Sequence, residues 1–268
     1  MKRLPALLLV VTASVLGWAQ APDCVSLTQQ ALQISGVDQQ IDVTAQMLSS
    51  DDYLREIAAD KPDGGDFIAV FKPIVQKDFN GAVLKKDLMR KVVARCKPQQ
   101  MQEAIAELQS PFVAHMLQLE AARYTPEGQE KLKKYMRIVS IAPPPDSQVS
   151  SADAFDDKVG LTDLTVDYML TITRGVLAGG GAPEEVISQL ESRRKQMKAQ
   201  LQPTAQASIL VTYTGVSKSD LAKYGDELTS GPLKWYYDKV HESMLEVLAE
   251  HAQAIGKDLK STMMAQKN

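Results

Sequence analysis

Beyond residue 24 apolar side chains recur every three or four positions along nearly the whole chain, a spacing that predicts helix after helix. Phe67, Val70, Phe71, Ile74 and Val75 form one such stripe, and Pro73 inside it predicts a kink or a break. Between Asp38 and Met47 the pattern is mixed, but Gln-rich flanks and Ser49-Ser50 favour a helix that stops there. Ser50-Asp51-Asp52 then offers a cap for Tyr53–Ala59. Val83–Val93 and Met101–Leu108 continue the pattern, the second opening at Pro98, a favoured first position of helices. Thr125-Pro126-Glu127 reads as a cap followed by proline, starting a helix through Leu132, Tyr135, Met136 and Val139.

Pro143-Pro144-Pro145 ends that helix, and 143–151 reads as a short, stiff linker. Beyond it Phe155–Leu177 reads as one long helix, halted by Gly179-Gly180-Gly181, a hinge or tight turn without the Gly-Lys-Ser/Thr of a phosphate loop. Pro183-Glu184-Glu185 starts another, its acidic first turn suiting the helix dipole. Gly231-Pro232 opens the last and longest. Ser208–Tyr213 is β-branched enough for a strand, but a lone strand would have no partner, so it is taken as helix. The fold class expected is all-α and multi-helical.

The halves resemble one another. Met101…Leu108-Gln109-Ser110-Pro111 is echoed by Leu221…Leu228-Thr229-Ser230-Gly231, and Met89–Cys96 by Ile209–Val216, at one constant offset. Gly36–Ile41 faintly echoes Gly181–Val186 at a larger one. Two divergent copies of a helical unit, 20–142 and 152–268, would account for this; so would the spacing shared by any two amphipathic helices. The first copy would carry extra residues around 61–85.

The first residues change the picture from fold to address. Lys2 and Arg3 precede an apolar run, Leu7 to Leu16, and Gly17 and Ala19 follow, predicting a removable signal peptide over 1–19. The apolar run is too short to span a bilayer, and Asp23 before Cys24 is the wrong residue for lipoprotein processing. The expected location is periplasmic or secreted. Cys24 and Cys96, the two cysteines, would then pair as one disulfide, stabilising the fold by up to about 4 kcal/mol. The balance of 30 basic against 33 acidic side chains argues against nucleic acid as a partner.

Leu32–Gly36 (Leu-x-x-Ser-Gly), Ser217-Lys218-Ser219-Asp220-Leu221 and Ser230-Gly231-Pro232-Leu233-Lys234 are similar to motifs of a group of bacterial exported proteins known only as a domain of unknown function. Pro232 departs from the pattern. The resemblance, carried mainly by the second half, implies a helical fold, an exported location and no assigned activity.

Motifs for chemistry are incomplete. His241-Glu242 lacks the second histidine of a zinc protease, where Leu245 stands, and His251 falls on another face. Glu242, Glu246 and Glu250 read as an exposed acidic stripe, and the histidines as solvated. Ser192-Arg193-Arg194-Lys195 satisfies Ser-x-x-Lys without the partners of that set. Asp153, Asp156 and Asp157 lack a calcium loop's glycine and suit a helix cap. No metal or cofactor is expected.

Trp235-Tyr236-Tyr237 is the densest aromatic group, and Met116 and Met244 lie on apolar stripes suited to an adaptable groove. These five residues are the expected site. The leading role is a non-enzymatic binding or scaffold protein for an apolar ligand or an envelope protein. A hydrolase assembled from distant residues, such as a carboxylate pair with His115 or His241, is the alternative, as is a structural partner subunit.

Overall fold

The computed structural model describes residues 23–51, 54–55, 64–139, 141–142 and 144–265. The expected signal peptide and most of the helix expected over Tyr53–Ala59 lie outside these residues. Among the described residues the fold is all-α, with thirteen helices and no strand. They are α1 (Cys24–Ile34), α2 (Val37–Leu48), α3 (Gly64–Asp78), α4 (Gly81–Arg95), α5 (Pro98–Leu108), α6 (Pro111–Arg123) and α7 (Pro126–Val139). The second half holds α8 (Asp146–Val159), α9 (Leu161–Gly180), α10 (Glu184–Ser192), α11 (Arg194–Thr212), α12 (Lys218–Leu228) and α13 (Gly231–Ala265).

Side-chain caps explain several helix starts. Asp23 accepts from the Ser26 N–H at 2.7 Å to start α1, and Asn80, Ser110 and Ser217 do the same for α4, α6 and α12. The ambiguous stretch 208–212 is helix, the last turns of α11. Three boundaries differ from expectation. α3 runs unbroken through Pro73, whose cost is the lost partner of one carbonyl. Residues 146–151, expected as linker, form the first turns of α8; Ser150 and Ser151 donate back to the carbonyls of Asp146 and Ser147, and buried Ala152 and Phe155 anchor the helix. The long helix expected from Phe155 to Leu177 is two, because Gly160 adopts a left-handed φ of 70° that side-chain-bearing residues avoid.

The packing repeats itself. α5 and α12 begin and end at equivalent residues (Pro98 and Lys218, Leu108 and Leu228), and α6 and α13 start at Pro111 and Gly231. Met101 and Leu221, Ala104 and Tyr224, Val113 and Leu233, and Met116 and Tyr236 are buried pairwise at these equivalent positions. α1 packs on α2, α4 and α5; α8 packs on α9, α11 and α12. α2 lies against α4 as α9 lies against α11. This correspondence pairs Gly36, at φ 74°, with Gly160 rather than with Gly181, since Gly36 and Gly160 each open the second helix of their unit.

The last segment of each unit also packs on the other. α13 lies across α3, α4 and α5 of the first unit. Reciprocally, α6 packs on α11, and its Phe112 and Glu120 reach Tyr224 of α12. One apolar cluster therefore draws from both sides of the Pro-rich stretch. Cys24 and Cys96 are joined, their Cα atoms 5.9 Å apart, tying the start of α1 to the end of α4.

α13, about 52 Å long, has its closest neighbour in α9. A Cβ added at Gly179 would stand 2.2 Å from the Gln253 carbonyl oxygen, and one at Gly256 would stand 2.2 Å from that of Val176. Gly175 meets Ala252 in the same stripe. Small residues four apart on both helices let the backbones touch.

Candidate functional site

Two acidic centres lie where the copies meet. Glu107 of α5 and Glu227 of α12 are equivalent residues, each standing before the Leu-x-Ser that closes its helix. The Glu227 carboxyl and the Leu233 N–H in the first turn of α13 stand beside the Glu107 carboxyl. Burial first, then Glu227 beside it, raises the Glu107 carboxyl above its ordinary value, while the Leu233 N–H pulls the other way. Glu107 Oε2 is shielded from solvent and has no hydrogen-bond partner.

The second centre is Glu120 of α6. The hydroxyls of Tyr213 (2.6 Å) and Tyr224 (2.8 Å) both donate to its Oε1. Glu120 is half-buried by exposure, yet the protein packed round its carboxyl raises its pKa; the two hydroxyls and Arg123 oppose the shift. Burial and the nearby carboxylate push both tyrosines well above their ordinary value, so they stay hydrogen-bond donors. Phe155 stacks on Tyr224 and meets Tyr213 edge-on, its ring centroid 6.1 and 5.4 Å away respectively. Arg123 turns aside to Ser208 Oγ at 2.7 Å. This is a polar knot inside an aromatic seam, closed by residues of α6, α8, α11 and α12.

The five residues expected to form a groove are placed differently from one another. Met116 and Tyr236 are sealed in the core, at 1% and 0% exposure. Tyr236 exchanges a 2.7 Å hydrogen bond with Ser35 of α1 and meets Tyr237 edge-on. Trp235, Tyr237 and Met244 are half-buried against the core. The two surface depressions that stand out lie elsewhere. One, of about 390 Å³, opens between α2 and the α3–α4 corner, lined by Asp42, Gln46, Ser49, Gln76 and Asn80 among others; the other lies along α7.

The histidines expected to be solvated are engaged. His251 contacts Asp87 of α4 at 3.0 Å, and His241 meets the Tyr168 hydroxyl at 3.2 Å and Asp167 at 3.8 Å. Arg194 holds the other oxygen of Asp167, Oδ1, at 2.6 Å. Burial lowers the His241 pKa. His115 is exposed. The acidic stripe of α13 is likewise no free face: Lys91 bonds Glu246 and Glu250 at 3.2 and 2.7 Å, Arg95 bonds Glu246, and Lys239 bonds Glu242. Ser192 donates to the Gln189 carbonyl, away from any base. Asp156 is buried and caps α9 through the Thr162 N–H and hydroxyl, at 2.8 and 2.5 Å. Among the described residues no group of three or more His, Cys, Asp or Glu is placed to hold a metal ion, and no helix is long and apolar enough to cross a membrane.

Glu107, Glu227 and Glu120 were missed by sequence reasoning. For the first two a signal existed, since the repeated Leu-x-Ser is Glu-Leu-x-Ser in both copies. Glu120 carries none, because its tyrosines stand more than ninety residues away. No protein-family model, curated protein or solved structure matches this chain.

Proposed function

We propose that the protein is an exported, non-enzymatic binding or scaffold protein whose partner is another envelope protein. The observation that carries this reading is the surface at the end of α7. Met136, Ile138 and Ile141 are 37, 50 and 87% exposed within six residues, a density of exposed large apolar side chains that calls for a partner. Lys131, Lys133 and Lys134 precede them and Arg137 stands among them, against Glu127 and Glu130, in a chain whose net charge is −3. The partner this fits is a protein surface that is acidic and edged with apolar side chains.

An apolar small molecule fits less well, because Met116 and Tyr236 are packed shut. The Cys24–Cys96 pairing supports an oxidising compartment, and the signal-like N-terminus and the family resemblance point the same way. The test is a photo-crosslinking side chain at Ile138 or Ile141 in producing cells, with Val25 of α1, 52% exposed, as the control position. A discrete protein adduct from α7 alone, lost in K133E/R137E, is the expected result. Equal labelling from Val25, or no adduct, would remove the reading. An adduct of lipid mass would replace the protein partner with a membrane surface.

A further inference from the structure

The acidic surface that α7 calls for is present on the chain itself. In the first unit α13 packs across α3. α10 begins where α3 does on the offset that aligns α5 with α12 (Gly64 and Glu184, Pro98 and Lys218). It packs on α9 and α11, yet of its nine residues Ile187 alone is buried. By that correspondence the helix to cover α10 is the continuation of α6, which breaks before Pro126 and carries α7 onto α11 instead. We propose that α7 of one molecule docks on α10 of a second molecule of this chain. The inference rests on the reading of α7 as a protein-docking face and names its partner.

The two faces match in charge and in apolar content. α10 presents Val186, 44% exposed, beside exposed Glu184 and Glu185. Its remaining acid, Glu191, is held by Arg174 and Arg194 at 3.3 and 2.5 Å, so the first-turn glutamates are the charges α10 offers. On α7, exposed Lys131, Lys134 and Ile138 fall along one side of the helix, three and four residues apart. The lysines meet the glutamates of the second molecule, and the exposed end of α7 covers Val186. Every molecule carries both faces, so association closes reciprocally into a pair or runs on as a chain.

The test is the mass of residues 20–268 in solution, by sedimentation equilibrium over a range of concentrations and salt. The wild type is expected to exceed one chain and to weaken as salt rises, because the paired charges are exposed. K131E/K134E and E184K/E185K each set like charges face to face and should each lose on the order of tenfold in association constant. An equimolar mixture of the two should recover it, since each variant then meets the reversed charge of the other. If E184K/E185K does not fold, E184Q/E185Q replaces it, and its mixture with K131E/K134E should associate more than either alone. A wild type that stays one chain at every concentration, or variants that associate as the wild type does, would overturn the inference. If a crosslinker at Ile138 then still captures a different protein, the docking role of α7 stands and its partner is not this chain. If Ile138 captures nothing, both readings fall.

Discussion

After Ser110 and after Ser230 the chain repeats itself for one helix and then diverges. α13 runs on as a single rod of 35 residues, whereas α6 stops at Arg123 and α7 restarts at Pro126. Pro126 stands where α13 has Glu246 and has no N–H for the Ala122 carbonyl; the Thr125 hydroxyl takes that carbonyl instead, at 2.9 Å. Gly128 makes the sharp turn possible, since a Cβ there would meet the Ala122 oxygen at 2.1 Å. The rod also has what the broken copy lacks. Where α13 sets Ala252 and Gly256 against α9, α7 has Leu132 and Met136, too large for backbones to touch. Of these two equivalent helices, the one with a small-residue stripe thus keeps its length. The other breaks, swings onto α11 and leaves Met136 at the surface.

The comparison can be broken at its strongest tie first. C96S frees α1 from α4 and should lower stability by about 4 kcal/mol, read by denaturant unfolding. Only the first unit has such a tie. G256A should cost about 3 kcal/mol by forcing α13 off α9. G180A is its control: its Cβ would have only the Gly256 oxygen near, at 3.9 Å, so stability should hold or rise slightly. E120A leaves the Tyr213 and Tyr224 hydroxyls without their acceptor and should cost about 2 kcal/mol, with α6 losing protection from exchange before α13 does.

The smallest effect has the most informative sign. The Glu107 carboxyl is raised in the folded state, so the folded protein binds more protons than the unfolded chain between the usual glutamate value and the raised one. This group's contribution is therefore fully present below the usual value and is lost as pH rises through the raised one. Asp51, Asp87 and Glu191, lowered by the cations they meet, contribute with the opposite sign: their share is lost as pH falls through the lowered values. Thermal unfolding of E107Q against pH should show a shallower decline towards neutrality, by less than about 1 kcal/mol.

How legible this was in the sequence depended on the range of the cause. Local chemistry was readable: Pro98, Thr125-Pro126 and Gly231-Pro232 start helices where they stand, and the constant offset between Met101 and Leu221 aligned two helices end to end. Gly160 was hidden because an apolar stripe runs past it on both sides and nothing local demands a left-handed turn. The Gly175/Gly179 stripe gains meaning only opposite Ala252 and Gly256, and the triple glycine that begins at Gly179 drew attention to a turn instead. The five groove residues followed a rule about residue type, and type does not say which side of a helix a neighbour will cover: Tyr236 faces α1 and the core, not a cleft. Likewise the charges of α13 were read as free because Lys91, Arg95 and Asp87 lie on a helix far back in the chain.

The central claim is that the two helical halves, each with a terminal helix packed against the other, form one cooperative body. It is tested most directly by equilibrium denaturation of residues 20–268, followed at once by far-UV circular dichroism, which reports helices of both units, and by the fluorescence of Trp235 on α13. Coincident single transitions with one midpoint are the predicted result. A biphasic dichroism curve, with Trp235 reporting only one of its steps, would mean that the units fold independently and would contradict the interlock.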